Sequence, residues 1–204
     1  MATILDILIS LAFGGALIVI LLTATETMSE NAATTYGERL VQESLLATSQ
    51  QVEGDFRNMG FAVPDSQRVI LTAESTRVTY RVDLPPFGSV DTVTYWLGAA
   101  SDLSETMNEK DRFLYRRVGT NPADRIGIVT EFRLAYVNGS FLRVPFPLSD
   151  SVMRSIRQID LSLEVESSDA YGRLRDTIAS GERTALYSGV FWKQTRLVVQ
   201  NLDR

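Results

Sequence analysis

The side chains that could do chemistry in this chain are carboxylates and guanidiniums, because its 204 residues include no histidine and no cysteine. Thiol nucleophiles, Cys/His zinc sites and catalytic triads that use histidine are therefore excluded. Lysine and arginine number 20 against 25 acids, for a net charge of −5, so a basic nucleic-acid-binding surface is not expected. No carboxylate pair stands in a recognisable catalytic motif. We predict a protein that is not an enzyme and that needs no cofactor or metal ion.

One carboxylate, that of Asp6, has apolar neighbours on both sides. Residues 7–22 read ILISLAFGGALIVILL, and Ile4 and Leu5 extend the run before Asp6. This length is the short end of a membrane-spanning helix, in which a carboxylate costs about 2.5–3.5 kcal/mol and should have a partner. The first basic residue is Arg39, so the nearest cation in the sequence is the chain's own terminal amine. Asp6 either stays hydrated at the level of the lipid headgroups or neutralises the terminal amine of its own or a neighbouring chain.

The apolar run does not have the features of a secretory signal. Lysine and arginine are absent before it, although signal peptides and signal anchors have basic residues there. The residues Thr23–Thr25 that follow it make a poor cleavage site. We predict that residues 1–25 form an apolar helix for a membrane or for the core of a filament.

The helical pattern continues beyond the apolar run. Apolar residues recur at spacings of three, four and seven, which is typical of a helix with one side packed on a core: Val41, Leu45, Val52, Phe56 and Met59. Weak points are Gly14-Gly15, Gly37, Gly54 and the stretch Thr23–Thr27, and Gly60 is placed to cap the helix end. Residues 26–60 are therefore predicted to form an amphipathic helix that enters the globular domain.

From residue 67 the pattern changes to a period of two, as expected for antiparallel strands with one packed and one hydrated face. Asn138-Gly139 indicates a hairpin turn into Phe141–Val144. The predicted strands are Val78–Leu84, Val93–Leu97, Arg112–Val118, Phe132–Tyr136, Ile159–Val165 and Gly189–Val199. We predict a β-rich globular domain over residues 61–204. The fold class is then α+β, with a long N-terminal helix, apolar in its first third, packed on a C-terminal antiparallel β-sheet.

Two segments resemble a known family. Ala2–Gly15, ATILDILISLAFGG, is similar to the mature start of type IV pilins and pseudopilins, typically Phe-Thr-Leu-Ile-Glu and then an apolar helix with small residues. Gly54–Phe61, GDFRNMGF, resembles the Asp-x-Arg-x-x-Gly-Tyr segment that ends the long helix in minor pilins and minor pseudopilins. Weaker similarity extends through strand segments such as Arg112–Arg117 to Leu197–Leu202, so the resemblance spans most of the chain.

The sequence departs from the family pattern at several points. Asp6 stands where the family has a glutamate, no proline occurs near Thr23, and the cysteine pair of many major pilins is absent. Met1 precedes Ala2, where prepilins have a basic leader ending in glycine. Either the sequence begins after the leader, or the chain needs none.

The resemblance implies a structural subunit of a filament of the pilus or the secretion type, with main and minor subunit both left open. The chain would be held in the inner membrane, then extracted by an assembly platform into a periplasmic or extracellular filament. Its partners would be copies of itself or other pilin-like subunits, with no nucleic acid expected. In the filament core Asp6 would pair with a terminal amine and fix the axial register. The expected assembly residues are Ala2, Ile4, Leu5, Asp6, Leu8, Leu11, Gly14, Gly15, Leu17 and Ile18.

Asp55, Arg57 and Gly60 are interpreted as an ion-pairing and capping group at the helix end, with a binding role as the alternative. Asn138 begins an Asn-Gly-Ser glycosylation sequon, for which we favour the hairpin turn. The acidic loop Asp102–Asp111 lacks the glycine and the spacing of a calcium loop, so a solvated loop is predicted.

The aromatic residues Trp96, Trp192 and Tyr187 are predicted to lie in the core of the sheet. Two other functions stay open beside the filament subunit. One is a single-pass, membrane-anchored extracytoplasmic binding domain, which would be a monomer in detergent and would tolerate Asp6→Ala. The other is a component of a different assembly with a helical core.

Overall fold

A computed structural model of the chain describes residues 2–103, 106, 108–166 and 190–202. The chain divides into two compact units, residues 1–40 and residues 41–204. The helix α1 (Ala2–Arg57) begins in the first unit and ends in the second.

The first unit consists of the N-terminal part of α1. The helix continues through Gly14, Gly15 and the threonine-rich stretch, so the weak points in the sequence do not interrupt it. The hydroxyls of Thr23, Thr25 and Thr27 donate to carbonyl oxygens one turn earlier, over 2.7–3.1 Å. Because these hydroxyls are satisfied inside the helix, the stretch does not depend on water for its hydrogen bonds.

Within the described residues, the second unit contains the rest of α1, eight strands, one short α-helix and two 3-10 helical turns, Ala100–Leu103 and Gln200–Leu202. The strands and the short α-helix are β1 (Ile70–Ala73), β2 (Arg77–Asp83), β3 (Val90–Leu97), β4 (Arg112–Val118), β5 (Asp124–Val129), β6 (Glu131–Asn138), α2 (Asp150–Arg154), β7 (Ile156–Glu166) and β8 (Val190–Val198). Every pair of neighbouring strands is antiparallel. The predicted α+β fold, a long N-terminal helix followed by antiparallel strands, is confirmed.

The strands form two sheets where the sequence predicted one. The first sheet has the order β1-β2-β3-β4-β5 and the second the order β6-β7-β8. The chain leaves the first sheet after Val129 and enters the second at Glu131, and the amide of Thr130 between them donates to the Glu164 carbonyl at 2.8 Å. The alternation of apolar and polar residues specifies which face of a strand is buried, and it does not specify which strand lies beside it. One sheet and two sheets therefore give the same sequence pattern.

The predicted apolar side of α1 packs into the core of the second unit. Val41 lies at the edge of this core, and the side chains predicted to follow it are buried: Leu45, Val52, Phe56 and Met59. The Phe56 ring meets Tyr80 and Tyr95 edge-on, with centroids 5.9 and 5.4 Å away. The prediction for this side of the helix is confirmed, and these contacts fix the end of α1 on the first sheet.

A glycine allows close approach between α1 and β5. A Cβ atom added at Gly127 would overlap the hydroxyl of Thr48, with the Thr48 Cγ2 and Cβ atoms at 3.2 and 3.3 Å. The Thr48 hydroxyl is 3.3 Å from the Ile126 carbonyl oxygen, to which it donates a hydrogen bond. Gly127 is therefore required by packing at the crossing of helix and strand.

The segment after the Asn138-Gly139 turn is not the predicted strand. The carboxamide oxygen of Asn138 accepts hydrogen bonds from the amides of Ser140 and Leu142, each at 3.0 Å. Phe141 has a φ of 61°, outside the extended region, and Pro145 cannot donate to a ladder. One isolated bridge, between Val137 and Arg143, is described here. The turn is present, and the segment after it pairs with β6 through hydrogen bonds from the Asn138 amide to the Leu142 carbonyl at 3.0 Å and from the Val144 amide to the Tyr136 carbonyl at 2.9 Å. This pairing is a single bridge, so the predicted strand over Phe141–Val144 is not formed in full.

Candidate assembly site and its supports

The N-terminal part of α1 presents its apolar side chains to the outside. Among residues 4–22, the large apolar side chains are 47–72% exposed, and Leu11 is the most exposed. They include six of the expected assembly residues: Ile4, Leu5, Leu8, Leu11, Leu17 and Ile18. This helix is long and apolar enough to cross a membrane. The chain can therefore be anchored in a membrane by its N-terminal apolar helix.

Asp6 lies on this apolar helix as an exposed carboxylate. Within the described residues it forms no hydrogen bond or ion pair. Arg39, the first cation of the sequence, is separated from it by 33 residues, or about 50 Å of helix. Within α1, therefore, no cation near Asp6 in sequence is available to pair with it.

Gly14 and Gly15 lie in the middle of the exposed apolar surface. A Cβ atom added at either position would meet nothing within 4 Å. Each glycine costs a helix about 1 kcal/mol relative to alanine. Contacts within the described residues thus give no reason for these glycines, whereas close approach of another helix would give one.

The helix end is held by Asp55, whose partners lie on the first sheet. Its carboxylate oxygen Oδ2 accepts hydrogen bonds from the Tyr95 hydroxyl and from Arg116 Nε, both at 2.6 Å. Burial, together with the Asp55 carboxylate, raises the pKa of Tyr95 far above its ordinary value of 10.0. The Tyr95 hydroxyl therefore stays protonated and remains a donor to Asp55.

The other two residues of the predicted helix-end group have separate roles. The side chain of Arg57 is 65% exposed and lies 3.9 Å from Glu53. Gly60 has a φ of +77°, which favours glycine, and its amide donates to the Arg81 carbonyl at 2.9 Å. The sequence missed Arg116 and Tyr95 as partners of Asp55. The available signal was a cation, Arg116, between Leu114 and Val118 on the inward face of β4.

Glu53 ties α1 to the edge strand of the second sheet. Its oxygen Oε1 accepts hydrogen bonds from Ser49 at 2.8 Å, from Thr195 at 2.9 Å and from Lys193 at 2.7 Å. Burial acts to raise the pKa of Glu53, but these hydrogen bonds outweigh it and hold the pKa below its ordinary value. The carboxylate thus clamps α1 to β8.

The acidic loop Asp102–Asp111 is buried, and not solvated, at its C-terminal end. Asp111 and Asn108 are 5% and 1% exposed, and burial raises the pKa of Asp111. Asn108 Nδ2 and Lys110 Nζ donate to the two carboxylate oxygens of Glu166, at 3.0 and 3.2 Å. The prediction of a solvated loop is therefore wrong at Asp111. No cluster of three metal-ligating side chains occurs in the part of the chain that the structure describes.

The aromatic residues depart from the predicted core positions. Trp192 is 69% exposed on β8, because it alternates with Phe191 and Lys193, which point to the packed side. Trp96 lies half-buried on the outer face of the first sheet. Tyr187 lies outside the described residues.

Trp96 belongs to a continuous row of side chains on that outer face, here called the arginine-capped stack. Its ring stacks on Tyr115, with centroids 5.2 Å apart and planes 15° from parallel, and Tyr115 contacts Phe113 at 6.0 Å. The Arg117 guanidinium lies 5.7 Å from the Trp96 centroid, and that of Arg125 lies 4.4 Å from the Phe113 centroid. The stack thus holds one guanidinium at each end.

No protein-family model, no curated protein and no solved structure matches this chain. The similarity to type IV pilins and pseudopilins therefore stays a prediction from the sequence.

Proposed function

We propose that the chain is a structural subunit of a type IV pilus-like or type II secretion-like filament, assembled through residues 2–22 of α1. The observation that carries this proposal is the exposed apolar part of α1 with a single carboxylate, Asp6, which forms no ion pair among the described residues. The apolar surface requires a non-aqueous partner, and the carboxylate requires a positively charged one. A bundle of identical helices with free terminal amines supplies both.

The apolar side chains provide the energy of assembly. Burying one large apolar side chain is worth about 1.5–3 kcal/mol, so a bundle of such helices can replace the lipid that surrounds each helix beforehand. Gly14 and Gly15 have open space above them, and in the bundle they allow neighbouring helices to approach closely.

Asp6 sets the axial position of one subunit against the next. In the core of the bundle its carboxylate pairs with the terminal amine of its own or a neighbouring chain. An unpaired charge in such surroundings costs about 3–5 kcal/mol. Because other registers leave the carboxylate and the amine unpaired, the pair selects one register more than it adds net stability.

The chain resides in the inner membrane before assembly, and an assembly platform then moves it into a periplasmic or extracellular filament. Its partners are copies of itself or other pilin-like subunits. Main and minor subunit are both compatible with the proposal.

Imaging tests the proposal. Cells that make the wild-type chain, Asp6→Ala or Asp6→Glu are compared by negative staining and immunogold labelling, and membrane fractions are assayed for each chain. We expect labelled filaments with the wild type and with Asp6→Glu, which keeps the charge. We expect none with Asp6→Ala, although this variant reaches the membrane at the wild-type level. Mass spectrometry of the purified chain identifies the residue that bears the terminal amine.

Absence of labelled filaments in all three strains would contradict the proposal. So would normal filaments with Asp6→Ala. A wild-type chain that stays in the membrane as a detergent-soluble monomer would instead indicate a membrane-anchored binding domain.

A further inference from the structure

The outer face of the first sheet carries three arginine side chains, Arg77, Arg117 and Arg125. The strand register places Arg77, Trp96, Tyr115 and Arg125 in one row across β2 to β5. Arg117 lies beside this row on β4, two residues after Tyr115. The side chains of Arg77, Arg117 and Arg125 are exposed, and none forms an ion pair with a carboxylate of the described residues.

The stack determines what this face can bind. Trp96, Tyr115 and Phe113 have their ring faces against one another or against the guanidiniums of Arg117 and Arg125. The rings are therefore poorly available as a platform on which nucleic-acid bases stack. The two guanidiniums are held in place by the rings, and their N–H groups are available for carboxylates. The face is suited to a partner with carboxylates at fixed separations.

Such a partner occurs on the same chain, in α1. Residues 26–43 contain Glu26, Glu30, Glu38 and Glu43 against one cation, Arg39. At 3.6 residues per turn, the first three glutamates lie within about 120° of the helix circumference, and Arg39 lies on the other side. Glu26 and Glu30 are exposed and Glu38 is half-buried, and none of them forms an ion pair within the described residues.

The spacing of the glutamates on α1 is close to the spacing of the arginines on the first sheet, and their charges are opposite. Glu30 and Glu38 are about 12 Å apart along the helix axis, and Glu26 and Glu38 about 18 Å. Arg77 and Arg125 are three strand spacings apart, or about 14 Å. A helix laid across the strands can therefore place one carboxylate near each end of the arginine row.

We infer that the arginine-capped stack, together with Arg77, docks the acidic segment Glu26–Glu38 of a second copy of this chain. The inference rests on the proposed function, because the assembly of apolar helices brings the copies together. The apolar segments then supply most of the binding energy, and the arginine face selects which copy lies beside which and in what orientation.

Cross-linking between two marked chains tests this contact. The chain has no cysteine, so a thiol-specific cross-linker reacts only with the single cysteine introduced into each chain. Chains with Ala33→Cys and chains with Thr76→Cys, an exposed position next to Arg77, each with a different tag, are made in the same cells and treated with a short bismaleimide. We expect a product that contains both tags, and none when either cysteine is omitted.

Charge reversal then tests the chemistry of the contact. Arg117→Glu/Arg125→Glu in the Thr76→Cys chain should lower the cross-linked product about tenfold or more, since like charges then face each other. Glu30→Arg/Glu38→Arg in the other chain should restore it. Arg154→Glu, a reversal at an exposed arginine outside this face, is the matched control and should leave the yield unchanged.

The outcomes separate this inference from the proposed function. Wild-type filaments that yield no two-tag product, or a yield that charge reversal does not change, would overturn the inference alone. Absence of wild-type filaments would overturn both. Binding of a labelled oligothymidylate that depends on Arg117 and Arg125, without any two-tag product, would replace the second copy by a nucleic acid.

Discussion

Asp55 provides a quantitative test of how the end of α1 is held. We expect Asp55→Ala to destabilise the second unit and Arg57→Ala to leave it nearly unchanged. The Asp55 carboxylate has two partners at 2.6 Å, Tyr95 and Arg116. The side chains of Asp55 and Arg116 are 21% and 17% exposed, whereas that of Arg57 is 65% exposed.

The magnitude follows from these contacts. Removing one partner of a fully buried ion pair costs about 3–5 kcal/mol, and the partial exposure here lowers that figure. The Tyr95 hydroxyl also loses its acceptor, which costs about 1–3 kcal/mol for a buried donor. We expect a total loss of about 3 kcal/mol. For a domain of this size the midpoint of thermal unfolding should fall by roughly 6–12 °C.

The assay is urea unfolding of the full chain in detergent, followed by tryptophan fluorescence. Both tryptophans, Trp96 and Trp192, lie in the second unit, so the signal reports that unit. A double-mutant cycle with Asp55→Ala and Arg116→Ala should give a coupling energy of at least about 1 kcal/mol. Arg57→Ala should change the free energy of unfolding by less than about 0.5 kcal/mol. A loss with Arg57→Ala as large as that with Asp55→Ala, or a coupling energy near zero, would refute the reasoning.

Two further predictions concern packing and pH. Gly127→Ala should destabilise the second unit by about 1–3 kcal/mol, because the new Cβ overlaps the Thr48 hydroxyl. Adding Thr48→Ala should recover most of that loss in the same urea assay, and no recovery would contradict the packing explanation. On β7 the Asp160 carboxylate accepts hydrogen bonds from Arg196 Nε at 2.7 Å and from Arg143 at 3.2 Å, and the bond from Arg196 contributes most to holding its pKa below the ordinary value of 3.8. Burial acts to raise the pKa of Glu53, but the bonds from Lys193, Ser49 and Thr195 hold it below the ordinary value of 4.5. Both carboxylates therefore stabilise the fold at neutral pH, and this stability should be lost as the pH falls below those ordinary values. The variant Glu53→Gln/Asp160→Asn should be less stable at pH 7 and show a flatter pH dependence, and an unchanged slope would refute this assignment.

Local periodicity was sufficient to predict most of the fold. The spacing of Leu45, Val52 and Phe56 identified the side of α1 that packs into the core, because burial on one side of a helix requires that spacing. Alternation likewise identified the longer strands. It missed β1 and β5, since β1 has four residues and Gly127 interrupts the alternation of β5.

Contacts between distant segments could not be predicted in this way. Asp55 was identified as part of an ion-pairing group, but its partner Arg116 is 61 residues away in the sequence. Nothing in local spacing distinguishes this arginine from Arg57. The arginine-capped stack depends on the register of three neighbouring strands, and the sequence does not specify that register. By contrast, the apolar part of α1 and its single acid, Asp6, could be predicted from the sequence. A helix is formed by residues close to one another in the chain, so local composition is enough to identify it.

Helical reconstruction of purified filaments by electron cryomicroscopy tests the central claim most directly. We predict that residues 4–22 of neighbouring copies pack together in the filament core. We also predict that the Asp6 carboxylate lies within about 4 Å of a terminal amine, at the distance of an ion pair. Filaments without this chain, or a chain whose Asp6 faces solvent away from every terminal amine, would contradict the claim.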